Sequence, residues 1–275
     1  MTSRVNGMDE SLLIHLGGLG DVCLSESAFL TVARHFEGGI RAVGSARVLE
    51  LFCAYFTRID SIDAREWAYL FSDSLQGRRW KRIIFFGKDR EGAFRARLRQ
   101  FADALVFVDL YPDHVRMHVE QHQLAQLAAY GMEPMIPARP DRRTDRIILY
   151  PETGFQKRKW PVGHFVEVFE GLKERGLKVI LMRPPGLDLP VAGTVSFEGL
   201  VDIEAFFSEG GLFFSNDSGM AHFAARCGLL PLTLFWDADP VIWRPKGSRT
   251  FQCRGAGPTV REAADFILSA SSSGL

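Results

Sequence analysis

The stretch that decides the fold is Leu12-Leu13-Ile14-His15-Leu16-Gly17-Gly18-Leu19-Gly20-Asp21. An apolar run over Leu12–Leu16 meets a glycine-rich turn, and the amphipathic stretch Val22–Phe36 follows directly. Strand, glycine turn, helix is the opening of a βα unit, and such turns let a ligand approach the backbone at the carboxyl edge of a sheet. The plan continues outward. Strands are expected at Ile40–Val43, Arg82–Phe86 and Leu105–Val108, separated by amphipathic stretches at Val48–Phe56, Gly92–Phe101 and Val115–Tyr130. Alternation of this kind predicts a parallel sheet covered by helices.

Gly131 ends the last of these helices, and Glu133–Asp145, with Pro134, Pro137, Pro140 and a cluster of Arg and Asp, reads as a linker. Beyond it the plan repeats. Strands are expected at Ile147–Tyr150, Lys178–Met182, Leu212–Ser215 and Leu232–Phe235, with helices at His164–Arg175, Asp202–Ser208, Met220–Arg226 and Val260–Ser269. Gly176 and Gly228 stand where helix C-caps are wanted. The expected fold class is therefore α/β, with two Rossmann-like domains over residues 1–138 and 139–275. A closed eightfold barrel is the competing architecture, and the Pro-rich break argues against it.

Composition sets the outer bounds. The 275 residues carry 33 Lys+Arg and 33 Asp+Glu, with 47% hydrophobic residues, which describes a globular chain able to bury a core. Residues 1–140 hold 17 cations and 17 anions and the remainder 16 of each, so neither half is a basic nucleic-acid module. The cysteines, Cys23, Cys53, Cys227 and Cys253, lack zinc spacing, and neither a metal site nor a disulfide framework is expected. The first ten residues are polar and acidic and no apolar stretch approaches the ~20 residues of a membrane span. A cytoplasmic protein whose membrane association is at most peripheral is the expectation.

Three loops could carry chemistry, each placed after a strand and before a helix. Asp21 in the first is either a first-turn acid on the helix dipole or a general base. The second, Tyr150-Pro151-Glu152-Thr153-Gly154-Phe155-Gln156-Lys157-Arg158-Lys159-Trp160-Pro161, sets three cations beside a Thr-Gly turn; it is either a diphosphate site or a solvated basic loop. The third is Ser215-Asn216-Asp217-Ser218-Gly219-Met220-Ala221-His222. Its Ser218, Gly219 and Met220 would offer backbone N–H groups to an anion at a helix start while Asp217 grips sugar hydroxyls; simple helix capping and a packed His222 are the alternatives. No Walker loop, Gly-x-Ser-x-Gly elbow or His-Glu-x-x-His pair is present, and the first turn departs from Gly-x-Gly-x-x-Gly. A further basic run, Arg78–Arg99, holds nine cations against Asp89 and Glu91; it is either a solvated helix face or an attractant for an anionic lipid surface.

Taken together, Gly17-Gly18-Leu19-Gly20-Asp21, Arg158-Lys159-Trp160-Pro161, Asn216-Asp217-Ser218-Gly219-x-x-His222 and the tail Leu234-Phe235-x-x-x-Asp239-Pro240-x-x-Trp243-x-Pro245 resemble glycosyltransferase family 9, the heptosyltransferases that move heptose from ADP-heptose to the lipopolysaccharide inner core. The resemblance implies a GT-B architecture, two Rossmann-like domains with parallel sheets facing across a cleft, the first binding acceptor and the second the nucleotide sugar. It implies inverting, metal-independent transfer without a cofactor. Asp21 then matches the catalytic base, with Gly18, Gly20 and Glu26 on the acceptor side. Thr153, Lys157, Arg158 and Lys159 match the diphosphate loop, Asp217 the donor-sugar contact, Ser218, Gly219 and Met220 the phosphate cradle, and His222 keeps the family spacing. The implied partners are a nucleotide sugar and a glycan or lipopolysaccharide-core acceptor, at the inner face of the inner membrane, and no nucleic acid.

This chain departs from the pattern in places. The turn Arg183-Pro184-Pro185-Gly186-Leu187-Asp188 is short, leaving Asp188 as the only local acid for a nucleotide ribose; Trp236 stands where Gly is common; and Ser25-Glu26-Ser27 follows the first motif. Two other functions stay open on these grounds: a noncatalytic sugar-nucleotide-binding relative, and a GT-B sugar-nucleotide epimerase.

Overall fold

Strands rich in Leu, Ile, Val and Phe on both faces need cover on both faces, and parallel sheets flanked by helices provide it. In the computed structural model, which describes residues 10–73, 75–151, 159–189 and 191–271, the chain divides into two compact units, Met1–Pro137 and Ala138–Leu275. Each is built on one five-stranded sheet, and the pairings within both sheets are parallel. Among the described residues no helix is long and apolar enough to cross a membrane.

In the first unit the strands are β1 (Ser11–His15), β2 (Ile40–Gly44), β3 (Arg58–Ser61), β4 (Trp80–Gly87) and β5 (Ala102–Asp109), in the order β3-β2-β1-β4-β5. The helices are α1 (Leu19–Leu24), α2 (Glu26–His35), α3 (Ala46–Leu49), α4 (Ala93–Arg99) and α5 (Val119–Ala129), with 3-10 segments at Glu50–Tyr55 and Arg65–Leu70. In the second unit β6 (Ile147–Tyr150), β7 (Val179–Leu181), β8 (Leu212–Asn216), β9 (Leu230–Phe235) and β10 (Arg249–Gln252) take the order β10-β9-β8-β6-β7. Its helices are α6 (Val162–Glu174), α7 (Leu200–Phe207), α8 (Gly219–Arg226), α9 (Pro240–Trp243) and α10 (Val260–Ser271). The chain winds outward on one side of the opening strand and then crosses to the other, so the strand order reverses between β1 and β4 and again between β6 and β8. Loops that leave the carboxyl ends of strands at such a reversal are where α/β sheets bind ligands.

Four expectations are corrected. The stretch Val22–Phe36 is two helices, because Ser25 (φ −92°, ψ 1°) ends α1 and starts α2 while its Oγ donates to the Asp21 carbonyl at 2.9 Å. Val48–Phe56 is one turn of α3 continued as a 3-10 segment. Strands β3 and β10 were not expected. Both are edge strands, and with partners on one side only they need no continuous apolar run: their sequences are Arg-Ile-Asp-Ser and Arg-Thr-Phe-Gln. The basic run Arg78–Arg99 is not a single helix face, since it spans β4 and α4. Arg78 lies over Trp80, Arg82 over Phe36 and Arg95 over Phe107, while buried Arg97 donates to the Tyr69, Ser72 and Leu75 carbonyls. Arg79 pairs with Asp103 at 2.8 Å.

The linker is anchored at both ends within its own unit. The Met135 N–H donates to Thr31 Oγ1 at 2.9 Å in the first unit; in the second, the Arg142 N–H donates to the Gly228 carbonyl and the Arg142 carbonyl accepts from Gly211 N–H. Gly210 makes the latter possible. Its φ is +81°, and a Cβ there would stand 2.1 Å from the Arg142 carbonyl oxygen. Gly210→Ala should therefore destabilise the protein by about 2 kcal/mol or more, combining left-handed strain with a backbone collision. Urea unfolding checks this, and a midpoint equal to that of the wild type would refute it.

Candidate functional site

The first unit places its polar groups at the β1/β4 reversal. His15, the last residue of β1, is wholly buried and packs against Phe29 and Phe86. Its Nδ1 accepts from Gly17 N–H at 3.2 Å, so the ring proton sits on Nε2 and is donated to Ser25 Oγ at 3.0 Å. Ser25 Oγ in turn donates to the Asp21 carbonyl. Burial lowers the His15 pKa to about 3, which keeps the ring neutral and this arrangement intact.

Asp21 is the third residue of α1 and is half-buried. Its Oδ2 accepts from Gly18 N–H at 3.0 Å, the cap that the local pattern suggested, and its Oδ1 accepts from Tyr111 Oη at 2.9 Å. Gly17 is needed for this packing, since a Cβ there would lie 2.5 Å from Asp21 Cβ. Tyr111 comes from the loop after β5, and Lys88, following β4, lies 5.0 Å from its ring centre and pairs with Asp113. Loops after three neighbouring strands thus meet at the same sheet edge, with Tyr111 between Asp21 on one side and Lys88 on the other. Gly20 lies within α1. Glu26, the first residue of α2, is buried, and its Oε1 accepts from Tyr55 Oη at 3.3 Å.

The second unit builds its loops at the β6/β8 reversal. Asn216, at the end of β8, is fully buried and ties the two ends of the loop after β6: its Oδ1 accepts from Trp160 N–H at 2.8 Å and its Nδ2 donates to the Pro151 carbonyl at 3.3 Å. The Trp160 indole donates to the Pro258 carbonyl at 2.8 Å and packs edge-on against Phe214 and Phe165. Thr153, Lys157 and Arg158 lie outside the described residues; Lys159 is described and exposed.

Asp217 follows, and burial raises its carboxyl pKa to about 6. Ser218, extended at φ −156°, caps α8 through Oγ, which accepts from Ala221 N–H at 3.4 Å. The N–H groups of Gly219 and Met220 in the first turn of α8 point along the helix axis, the anion-binding geometry of a helix start. His222 is buried in the same turn. Asp239 caps α9 by accepting from Val241 N–H at 2.9 Å. Asp188 is exposed on the turn after β7, next to Gly186 at φ +79°.

Within the first unit the structure thus brings Gly18 and Asp21 together, and within the second Asp217, Ser218, Gly219, Met220 and His222. Sequence reasoning missed Tyr111, His15 and the bridging role of Asn216, and read Lys88 only as one of the cations of Arg78–Arg99. The position of Tyr111 just past a strand end was its only signal. Among the described residues no group of three or more His, Cys, Asp and Glu is arranged to hold a metal ion.

His15 yields a pH prediction. The unfolded chain protonates this imidazole near 6.5 and the folded one only near 3. Between those values the unfolded state binds the extra proton, so stability falls as pH drops through that window. The urea midpoint of the wild type should lose more between about pH 7 and about pH 4.5 than that of His15→Asn. Parallel pH dependences would refute it.

The family model described as glycosyltransferase family 9 (heptosyltransferase) matches residues 99–264, more than half of the chain. A search of curated proteins returns no match. The structure is similar to the glycosyltransferase family 9 protein from Veillonella parvula DSM 2008, with a TM-score of 0.73, 12% identity and coverage of 98% of this chain and 99% of that one. It is also similar to E. coli ADP-heptose lipopolysaccharide heptosyltransferase II (TM-score 0.70, 15% identity, 96% and 98% covered) and to E. coli heptosyltransferase WaaC with ADP (0.69, 14%, 94% and 99%). At these identities the likeness is one of fold.

Proposed function

The chain belongs to glycosyltransferase family 9, and from that premise we propose that this glycosyltransferase moves heptose from ADP-heptose onto a lipopolysaccharide core or related glycan by an inverting, metal-independent displacement. The observation that carries the reading is Asp21, a carboxylate held by two hydrogen bonds at the strand-order reversal of the first unit.

Asp21 takes the proton of an acceptor hydroxyl as that oxygen bonds to the anomeric carbon. The bond from that carbon to the diphosphate oxygen breaks, and ADP leaves with the electron pair, so the configuration inverts. Charge growing on the leaving diphosphate meets the N–H groups of Gly219 and Met220, and the cations Lys157, Arg158 and Lys159 with Thr153. Asp217 is ionised at neutral pH, with burial raising its carboxyl pKa to about 6, and donor-sugar hydroxyls donate to its carboxylate. Asp188, exposed on the turn after β7, accepts from the nucleotide ribose hydroxyls. An acceptor carried on a membrane lipid would bring the protein to the inner face of the inner membrane, and the cations of the Arg78–Arg99 run that pack on aromatic rings or pair with Asp103 and Asp113 serve the fold first.

Two measurements test this. Asp21→Asn should lower turnover of ADP-heptose onto a heptose-free lipopolysaccharide core by roughly 10²–10⁴-fold and leave ADP-heptose affinity nearly intact; full turnover would remove Asp21 as the base. By calorimetry, Asp217→Asn should weaken ADP-heptose roughly ten- to a hundredfold and ADP much less, about 1.5–3 kcal/mol of difference for a lost hydrogen bond to a charged group. Equal effects on both ligands would place Asp217 away from the sugar. Binding of ADP-heptose by the wild type without product would point to a noncatalytic relative, and an isomerised donor to an epimerase.

A further inference from the structure

Resting on the reading of Asp21 as base, we infer that Tyr111 is the positioning residue of this reaction, fixing the Asp21 carboxylate through the 2.9 Å hydrogen bond from its hydroxyl to Oδ1. Gly18 N–H holds only Oδ2, and a single bond lets the carboxylate plane swing within the tolerance of that one contact. The phenol supplies the second point, from a loop ninety residues away in sequence and anchored independently.

That anchoring is visible residue by residue. Gln126 on α5 brackets Asp109, its Oε1 accepting from the Asp109 N–H at 2.8 Å and its Nε2 donating to the Asp109 carbonyl at 3.0 Å. The Asp109 carboxylate accepts from the Tyr111 N–H at 3.4 Å, and the Lys88 ammonium lies 5.0 Å from the Tyr111 ring centre. The direction of the Tyr111–Asp21 bond is fixed as well. Burial first, and then the neighbouring Asp21 charge, hold the phenol above the usual tyrosine range, so it keeps its proton and donates.

The bond from the Tyr111 hydroxyl occupies one carboxylate oxygen and leaves the other lone pairs of Asp21 to meet the acceptor hydroxyl. What it supplies is orientation: a base held in line with the incoming hydroxyl needs no reorganisation when the proton moves. Tyr111 itself gains and loses no proton in the step.

The test assays Tyr111→Phe, Asp21→Asn and the double variant by ADP release from ADP-heptose with a heptose-free lipopolysaccharide core. The phenyl ring retains the packing with Lys88. Expected is a kcat roughly ten- to a hundredfold lower in Tyr111→Phe at unchanged KM for ADP-heptose, with no further loss when the change is added to Asp21→Asn. The same fractional loss in both backgrounds would mean packing alone and overturn the assignment, as would a wild-type kcat in Tyr111→Phe. Tyrosinate absorbance reads the pair without turnover. Asp21→Asn should let Tyr111 ionise at lower pH, the signal being identified by its loss in Tyr111→Phe; an unaltered titration overturns the contact. Full turnover in Asp21→Asn removes the base and this role with it, whereas an inactive Asp21→Asn beside a fully active Tyr111→Phe removes the role of Tyr111 alone.

Discussion

Parallel strand pairing is the constraint on which everything else here rests. Strands that all run one way deliver their carboxyl ends to a single edge, so every loop that follows a strand emerges on the same side of its sheet. Asp21, Lys88 and Tyr111 come from three such loops, and they meet because β1, β4 and β5 are neighbours. In the second unit the same rule brings Pro151 and Trp160, flanking the loop after β6, onto Asn216 at the end of β8. The chemistry is assembled by topology before any single side chain is placed.

That logic explains how far the sequence could be read. Central strands announce themselves because both faces are covered: Leu12, Leu13 and Ile14, or Leu212, Phe213 and Phe214, leave no polar position between them. The edge strands β3 and β10 are only partly covered, and their mixed sequences look like loop. The break at Ser25 was hidden for a different reason. Serine is neutral in a helical pattern, and what bends the chain here is a hydrogen-bond chain from a buried histidine ten residues earlier.

The site divides in the same way. Asp21, Asp217 and the start of α8 lie inside contiguous stretches whose strand-turn-helix grammar is local, so their placement just past β1 and β8 was legible. Tyr111 was not, because its partner is ninety residues distant and nothing in Asp109-Leu110-Tyr111-Pro112 specifies which strand lies alongside. Asn216 was quoted within its motif, yet its work is structural. It spends both ends of its amide on the backbone of another loop, so the strand that leads into α8 also holds Pro151 and Trp160, the flanks of the loop after β6.

The linker has one further consequence. Met135 satisfies its backbone on α2 of the first unit, and Arg142 satisfies its own on the turns at Gly211 and Gly228 of the second, so each anchor closes on the unit it belongs to. Between them Ile136 is 61% exposed, and no strand or helix includes the connecting residues. Severing the chain there would cut no sheet and open neither hydrophobic core. The two units are therefore natural fragments for separate expression, each carrying a whole sheet and its own core.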